Sequence, residues 1–251
     1  MIFCFSATGN SLYLAKRISE ADGSAIIRMD RCLREGGLSF RVPSGENLGF
    51  VFPTYFSGIP TIVSDFLGKA EIDLDPGTYV YIAVTCGSSP GDAGGMAARI
   101  LSRKGIEVSG MFRAVMPHTW TPMHDLSDKG KVARTLSEAE PMISDAADGI
   151  TSHRSCPMPD ATSRIMAKPL YALYGMQKTK MFWVTDLCDG CGECKRICPI
   201  RAIKMENKRP VIVPDKCAMC LACLHRCPMF AIQYGKATIG HGRYCNPDSG
   251  L

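Results

Sequence analysis

Thirteen of the 251 residues are cysteines, and eight of them fall into one pattern written twice. Cys188, Cys191, Cys194 and Cys198 follow C-x2-C-x2-C-x3-C with Pro199 next; Cys217, Cys220, Cys223 and Cys227 repeat it with Pro228 next. Three thiolates on so short a loop can wrap one metal centre while backbone amides point at the sulfurs, leaving the fourth corner to a distant residue. Each proline then turns the chain away, because it fixes φ and offers no N–H. The repeat extends past the ligands, since Cys198 to Ile203 matches Cys227 to Ile232 at a constant offset of 29 residues (227 − 198). Zinc usually takes two separated C-x2-C pairs, which leaves the longer runs and their prolines unexplained. Disulfide frameworks belong to small secreted domains in oxidising compartments. The spacing therefore predicts iron–sulfur ligation.

These runs resemble the ligand runs of bacterial two-cluster ferredoxins, in which the fourth cysteine of each run serves the other cluster. The resemblance implies two [4Fe-4S] clusters, one held by Cys188, Cys191, Cys194 and Cys227, the other by Cys217, Cys220, Cys223 and Cys198. The remaining Cys4, Cys32, Cys86, Cys156 and Cys245 are scattered and read as free or buried thiols of a reducing, cytoplasmic compartment.

A second constellation opens the chain. The apolar run from Ile2 to Phe5 meets the small polar loop Ser6-Ala7-Thr8-Gly9-Asn10-Ser11, and a helical pattern with Leu14, Ala15 and Ile18 on one face follows. Strand, small polar loop and helix make an anion site, where loop N–H groups and hydroxyls meet the positive end of the helix. Gly9 permits close backbone approach.

Phe5 to Ser11 resembles the phosphate loop of flavodoxins, T/S-x-T-G-x-T/S, which holds the FMN phosphate without a basic residue, and none lies between Ser6 and Ser11. With the cysteine runs, the chain looks like a flavodoxin–ferredoxin fusion. That resemblance implies FMN contacts from three loops: Ser6, Ala7, Thr8, Gly9, Asn10 and Ser11 at the phosphate; Pro53, Thr54, Tyr55, Phe56, Ser57 and Gly58 at one ring face; and Thr85, Cys86 and Gly87 at the pyrimidine edge. Tyr55 and Phe56 offer flat ring partners, or one of them anchors the core. Trp120 either closes over the flavin or packs between domains, while His118 and His124 read as loop or capping residues before proton donors.

The elements that must position these loops follow from periodicity. Strands are expected at Ile2–Phe5, Ser24–Met29, Leu48–Phe52, Tyr79–Val84 and Ile106–Val115, the last interrupted near Gly110. Helices intervene: one starting at Pro60 with Ile62, Val63, Phe66 and Leu67 inward, and one capped by Asp92 with Met96, Ile100 and Leu101 inward and Gly105 as its stop. Residues 127–150 read as a covering helix with Val132, Leu136, Ile143 and Ala147 inward, kinked or divided at Pro141. The expected fold class is α/β: a flavodoxin-like, doubly wound, five-stranded parallel sheet with a smaller α+β two-cluster ferredoxin domain. The expected domains are 1–151 for FMN, 152–179 as linker (Ser152–Asp160) and connecting helix (Arg164–Met176), 180–235 for the clusters, opening on a strand at Lys180–Thr185, and 236–251 as a polar tail in which Cys245 is a free thiol.

Composition, at 46% hydrophobic and 21% charged, is ordinary for a globular protein of one sizeable and one small domain. No signal peptide and no apolar run of about 18 residues is evident, so no membrane span is expected. Residues 1–150 carry 14 Lys and Arg against 17 Asp and Glu (−3), and residues 151–251 carry 15 against 7 (+8). Two oxidised cubes at about −2 each offset half of that excess, and the remaining opposite charges favour docking of the halves. No aromatic-interleaved basic stripe accompanies the charge, so nucleic acid is not an expected partner.

Three functions fit. The first is an electron-transfer flavoprotein linking FMN, two clusters and external redox proteins. The second is a flavin-dependent reductase of a small substrate, with the 117–125 loop as pocket material; the absence of a G-x-G-x-x-G unit disfavours direct use of a nicotinamide. The third is a non-catalytic ferredoxin-like subunit of a larger complex, against which the intact phosphate loop argues.

Overall fold

The computed structural model describes residues 1–156, 161–175, 179–214 and 216–251. Its larger half is a parallel sheet of β1 (Ile2–Cys4), β2 (Ile26–Arg28), β4 (Leu48–Pro53), β6 (Val80–Cys86) and β7 (Gly110–Val115), in the order β2-β1-β4-β6-β7. Both sheet faces are buried, which is why these strands read as continuous apolar runs. Phe3, Phe50 and Ile82 face one core, under α3 (Thr61–Lys69) and α4 (Ala93–Ser102). Ile2, Val51 and Tyr81 face the other, under α1 (Asn10–Asp22) and α5 (Lys129–Thr151).

Several local expectations are revised. The second strand is shorter and runs straight into α2 (Met29–Glu35), a helix the periodicity did not reveal. A separate pair, β3 (Ser39–Arg41) with β5 (Glu71–Asp73), adds a small parallel ribbon. The fifth strand starts at Gly110, where a Cβ would lie 2.2 Å from the Tyr79 hydroxyl. Asp92 sits at the N-cap of α4, but its carboxylate pairs with Arg99 and makes no side-chain cap bond. Helix α5 runs through Pro141 undivided. Pro141 and Ser137, whose carbonyl the proline cannot serve, are both exposed, which leaves that carbonyl on the solvent side of the helix. Ile143 and Ala147 are buried as expected, while Val132 and Leu136 are only half-buried.

The connecting helix is α6 (Ala161–Gly175). Met176 of the expected helix and residues 157–160 of the expected linker lie outside the described residues. The smaller half holds β8 (Phe182–Val184) paired antiparallel with β11 (Ile232–Tyr234), and β9 (Ile203–Glu206) paired with β10 (Arg209–Ile212). Between the strands lie two short helices, α7 (Glu193–Ile197) and α8 (Ala222–His225).

The halves join through apolar packing. Ala218 and Ala222 are buried in the first core of the large half, with Ile197, Ile200 and Cys220 packed against it. On α6, the Tyr174 hydroxyl donates to the Ala218 carbonyl at 2.9 Å and also bonds Thr61, while Tyr171 donates to the Ile59 carbonyl. Among the described residues no salt bridge joins the halves, and the contacts between them are buried apolar surface and hydrogen bonds. No helix among them is long and apolar enough to cross a membrane.

Candidate functional site

The two cysteine runs share one backbone. Left-handed residues recur at the 29-residue offset: Gly190 and Met219, Gly192 and Leu221, Arg201 and Phe230. Gly192 and Leu221 stand at the N-caps of α7 and α8. Equivalent amides donate to equivalent sulfurs, Ala202 N to Cys198 Sγ at 3.2 Å and Ala231 N to Cys227 Sγ at 3.3 Å.

The runs enclose two hollows. One is lined by Cys217, Cys220 and Cys223 with Cys198, the other by Cys188, Cys191 and Cys194 with Cys227. Each thus draws three thiols from one run and one from the other. Burial raises the Cys194 thiol to about 11 and lifts Cys220 and Cys223 as well, so ionisation there requires a compensating cation. This donor set fits iron–sulfur cubes. Among the described residues no group of three or more His, Cys, Asp or Glu is arranged to hold a single metal ion.

A third cavity, of about 540 Å³, opens at the C-terminal ends of β1, β4 and β6. This is the switch point of the strand order, where such sheets bind ligands, and the volume lies in the range of small-molecule sites. It is lined by Ser6, Ala7, Thr8, Asn10, Ser11, Pro53, Thr54, Tyr55, Phe56, Ser57, Thr85, Cys86 and Gly87, which is every expected cofactor residue except Gly9 and Gly58. No side chain caps α1, leaving the orphan N–H groups of its first turn for an anion. The Ser11 and Thr85 hydroxyls bond each other at 2.6 Å and tie the first loop to the third.

Loop 53–60 is a tight hairpin in which Tyr55 and Gly58 exchange backbone bonds of 2.9 Å across Phe56 and Ser57. Both central residues have positive φ, 49° and 62°, as a type I′ turn requires. Neither is the usual Gly or Asn, and the strain holds an aromatic ring at the cavity wall. Phe56 stacks on Tyr174 at 5.9 Å and meets Trp120 edge-on at 5.0 Å. Trp120 also meets Tyr234 at 5.6 Å, so it both lines the cavity and bridges the halves. His118 and His124 stack at 3.6 Å on the same wall, and burial lowers the His118 pKa to about 4.

The two missing glycines have other reasons. A Cβ on Gly58 would meet the Tyr171 ring at 2.1 Å, so this glycine admits α6. Gly9, at φ +99°, faces the C-terminal segment: a Cβ there would lie 2.4 Å from Ser249 Oγ. The 236–251 segment, expected as a polar tail, packs against the 6–11 loop. Asn246 N donates to the Thr8 carbonyl at 2.7 Å, and the Tyr244 hydroxyl donates to Asn10 Oδ1 at 2.6 Å. Asn10 Nδ2 in turn donates to the Pro117 carbonyl, so both ends of the Asn10 amide are committed to protein. Cys245 is half-buried in this segment.

The sequence reading missed the far wall of the cavity, which includes Leu170 and Leu173 of α6 and Met219, Cys220 and Leu221 of the second cysteine run. Cys220 and Leu221 also line the hollow with Cys198. A signal existed for two of them, since Met219 and Leu221 replace Gly190 and Gly192 of the first run. A non-glycine residue costs about 1–2 kcal/mol in this conformation. The cost goes with two side chains that wall the cavity.

Residues 180–228 match the family model described as a 4Fe-4S dicluster domain, which supports iron–sulfur electron transfer. Among solved structures, the Trp repressor binding protein from Bacillus subtilis is similar over 56% of this chain and 94% of its own, at 15% identity and a TM-score of 0.33. No curated protein matches the chain significantly.

Proposed function

We propose that the chain is an electron-transfer iron–sulfur flavoprotein, a flavodoxin-like FMN domain joined to a two-[4Fe-4S] domain and serving external redox proteins in the cytoplasm. One observation carries this reading: Cys220 and Leu221 stand in the wall between the 540 Å³ cavity and the hollow of Cys198, Cys217, Cys220 and Cys223. Bound FMN supplies a carrier that accepts two electrons and releases them one at a time, as each cube requires.

In this reading, Ser6, Thr8, Ser11 and the N-terminus of α1 hold the phosphate, and Phe56 and Trp120 orient the ring and exclude water. Cys198, Cys217, Cys220 and Cys223 bind the cluster nearer the flavin. Cys188, Cys191, Cys194 and Cys227 bind the farther one, where the exposed Cys191, Leu187, Met229 and Phe230 offer an outlet to a partner protein.

Flash reduction of the flavin at increasing protein dilution tests the proposal. The expected rate of flavin-to-cluster transfer is independent of concentration; a rate proportional to concentration would overturn it. The stacked His118 and His124 favour a second reading, a reductase of a small substrate bound against that wall. Turnover that is lost on replacing either histidine, with flavin retained, would select it.

A further inference from the structure

The C-terminal segment carries a buried cation with no acidic partner. Arg243 is 7% exposed. Its Nη1 donates to the carbonyls of Thr238 and His241, and its Nη2 to the Ile232 carbonyl at 3.1 Å and Gln233 Oε1 at 2.8 Å. Every acceptor is neutral. Its Nε has no partner, and no carboxylate pairs with it among the described residues. A buried guanidinium left this way is costly, because neutral dipoles do not replace a counter-charge.

The segment that Arg243 grips carries a cluster ligand. Its guanidinium lies 5.9 Å over the Phe230 ring and bonds Ile232 and Gln233, shortly after Cys227. Ile232 lines the hollow of Cys188, Cys191, Cys194 and Cys227. Burial lowers the pKa of Arg243, and the opposing electrostatic contribution comes from Cys227.

We infer that Arg243 is the counter-charge of the cluster held by Cys188, Cys191, Cys194 and Cys227, a positioning residue that sets its reduction potential from outside residues 180–228. The inference rests on the two-cluster reading. Reduction adds one negative charge to the cube, and a fixed cation favours that state in a low-dielectric site. The arginine gains and loses no proton; it only makes the electron easier to accept.

The test uses full-length Arg243→Gln and Arg243→Lys, with iron analysis and EPR-monitored anaerobic titration. In Arg243→Gln, one of the two cluster potentials should fall by about 59 mV, a tenfold change in the one-electron equilibrium, while the other stays in place. Arg243→Lys should keep most of the wild-type value. The shifted couple should be the one that survives in Cys198→Ala. Iron retained by Arg243→Lys but lost by Arg243→Gln would also support the charge. Two potentials unchanged at full iron content, an equal shift of both, or equal iron loss in both variants would overturn the inference. Wild-type protein free of iron would instead overturn the two-cluster reading itself.

Discussion

Replacing Gly9 by Ala tests what that glycine is for. In the structure its missing side chain makes room for the C-terminal segment: a Cβ would stand 2.4 Å from Ser249 Oγ, 2.8 Å from Ser249 Cβ and 2.9 Å from Asn246 Cβ. Ser249 is fully buried and Asn246 nearly so, which leaves little room to yield. Two costs add. The backbone, at φ +99°, disfavours a non-glycine residue by about 1–2 kcal/mol. Overpacking against Ser249 and Asn246 adds about 1–3 kcal/mol. The sum, about 2–5 kcal/mol, lowers the unfolding midpoint of a chain this long by about 4–20 °C. Thermal unfolding of the anaerobic full-length protein measures it. In the Gly9→Ala background, Ser249→Gly should recover part of the overlap but none of the backbone cost. Gly9→Ala with an unchanged midpoint and weakened FMN binding would refute the reasoning, because the glycine would then serve the phosphate alone. A double variant no more stable than Gly9→Ala would also count against it.

Two further outcomes follow from the site. Cys198→Ala should remove the cluster of Cys217, Cys220 and Cys223 while sparing the other, giving about half the iron and one surviving EPR signal; loss of the opposite cluster would show that the ligands do not cross between runs. His118 is half-buried, and desolvation lowers its pKa from 6.5 to about 4, so the unfolded chain binds the proton first as pH falls. Its contribution to stability is full above pH 6.5 and is lost between 6.5 and about 4. The unfolding midpoint of wild type relative to His118→Gln should therefore fall on going from pH 7 to pH 5; a constant difference would show that His118 titrates normally.

Much of this protein was legible in its residues because the information is local. Ligand spacing is a property of the chain itself, so Cys188 to Cys198 and Cys217 to Cys227 announced thiolate chemistry before any contact was known. Burial on both faces of a parallel sheet forces apolar runs, so the strands at Ile2, Leu48 and Val80 declared themselves, and the loops after them came together at one cavity. Helix α2 and the β3–β5 ribbon were not legible, since each is short and held by partners distant in sequence.

What only the tertiary structure decided is where these parts meet. Cys220 and Leu221 stand between the cavity and a cysteine hollow because Ala218 and Ala222 are buried in the larger core, a packing choice that no spacing records. Tyr244 reaches Asn10 across 234 residues, so the segment expected as a polar tail becomes part of the support of the 6–11 loop. Arg243 reads in sequence as one basic residue among 29 Lys and Arg. Burial without a carboxylate is what gives it a meaning, because the cost of an isolated charge depends on the medium around it, and that medium exists only once the chain has folded.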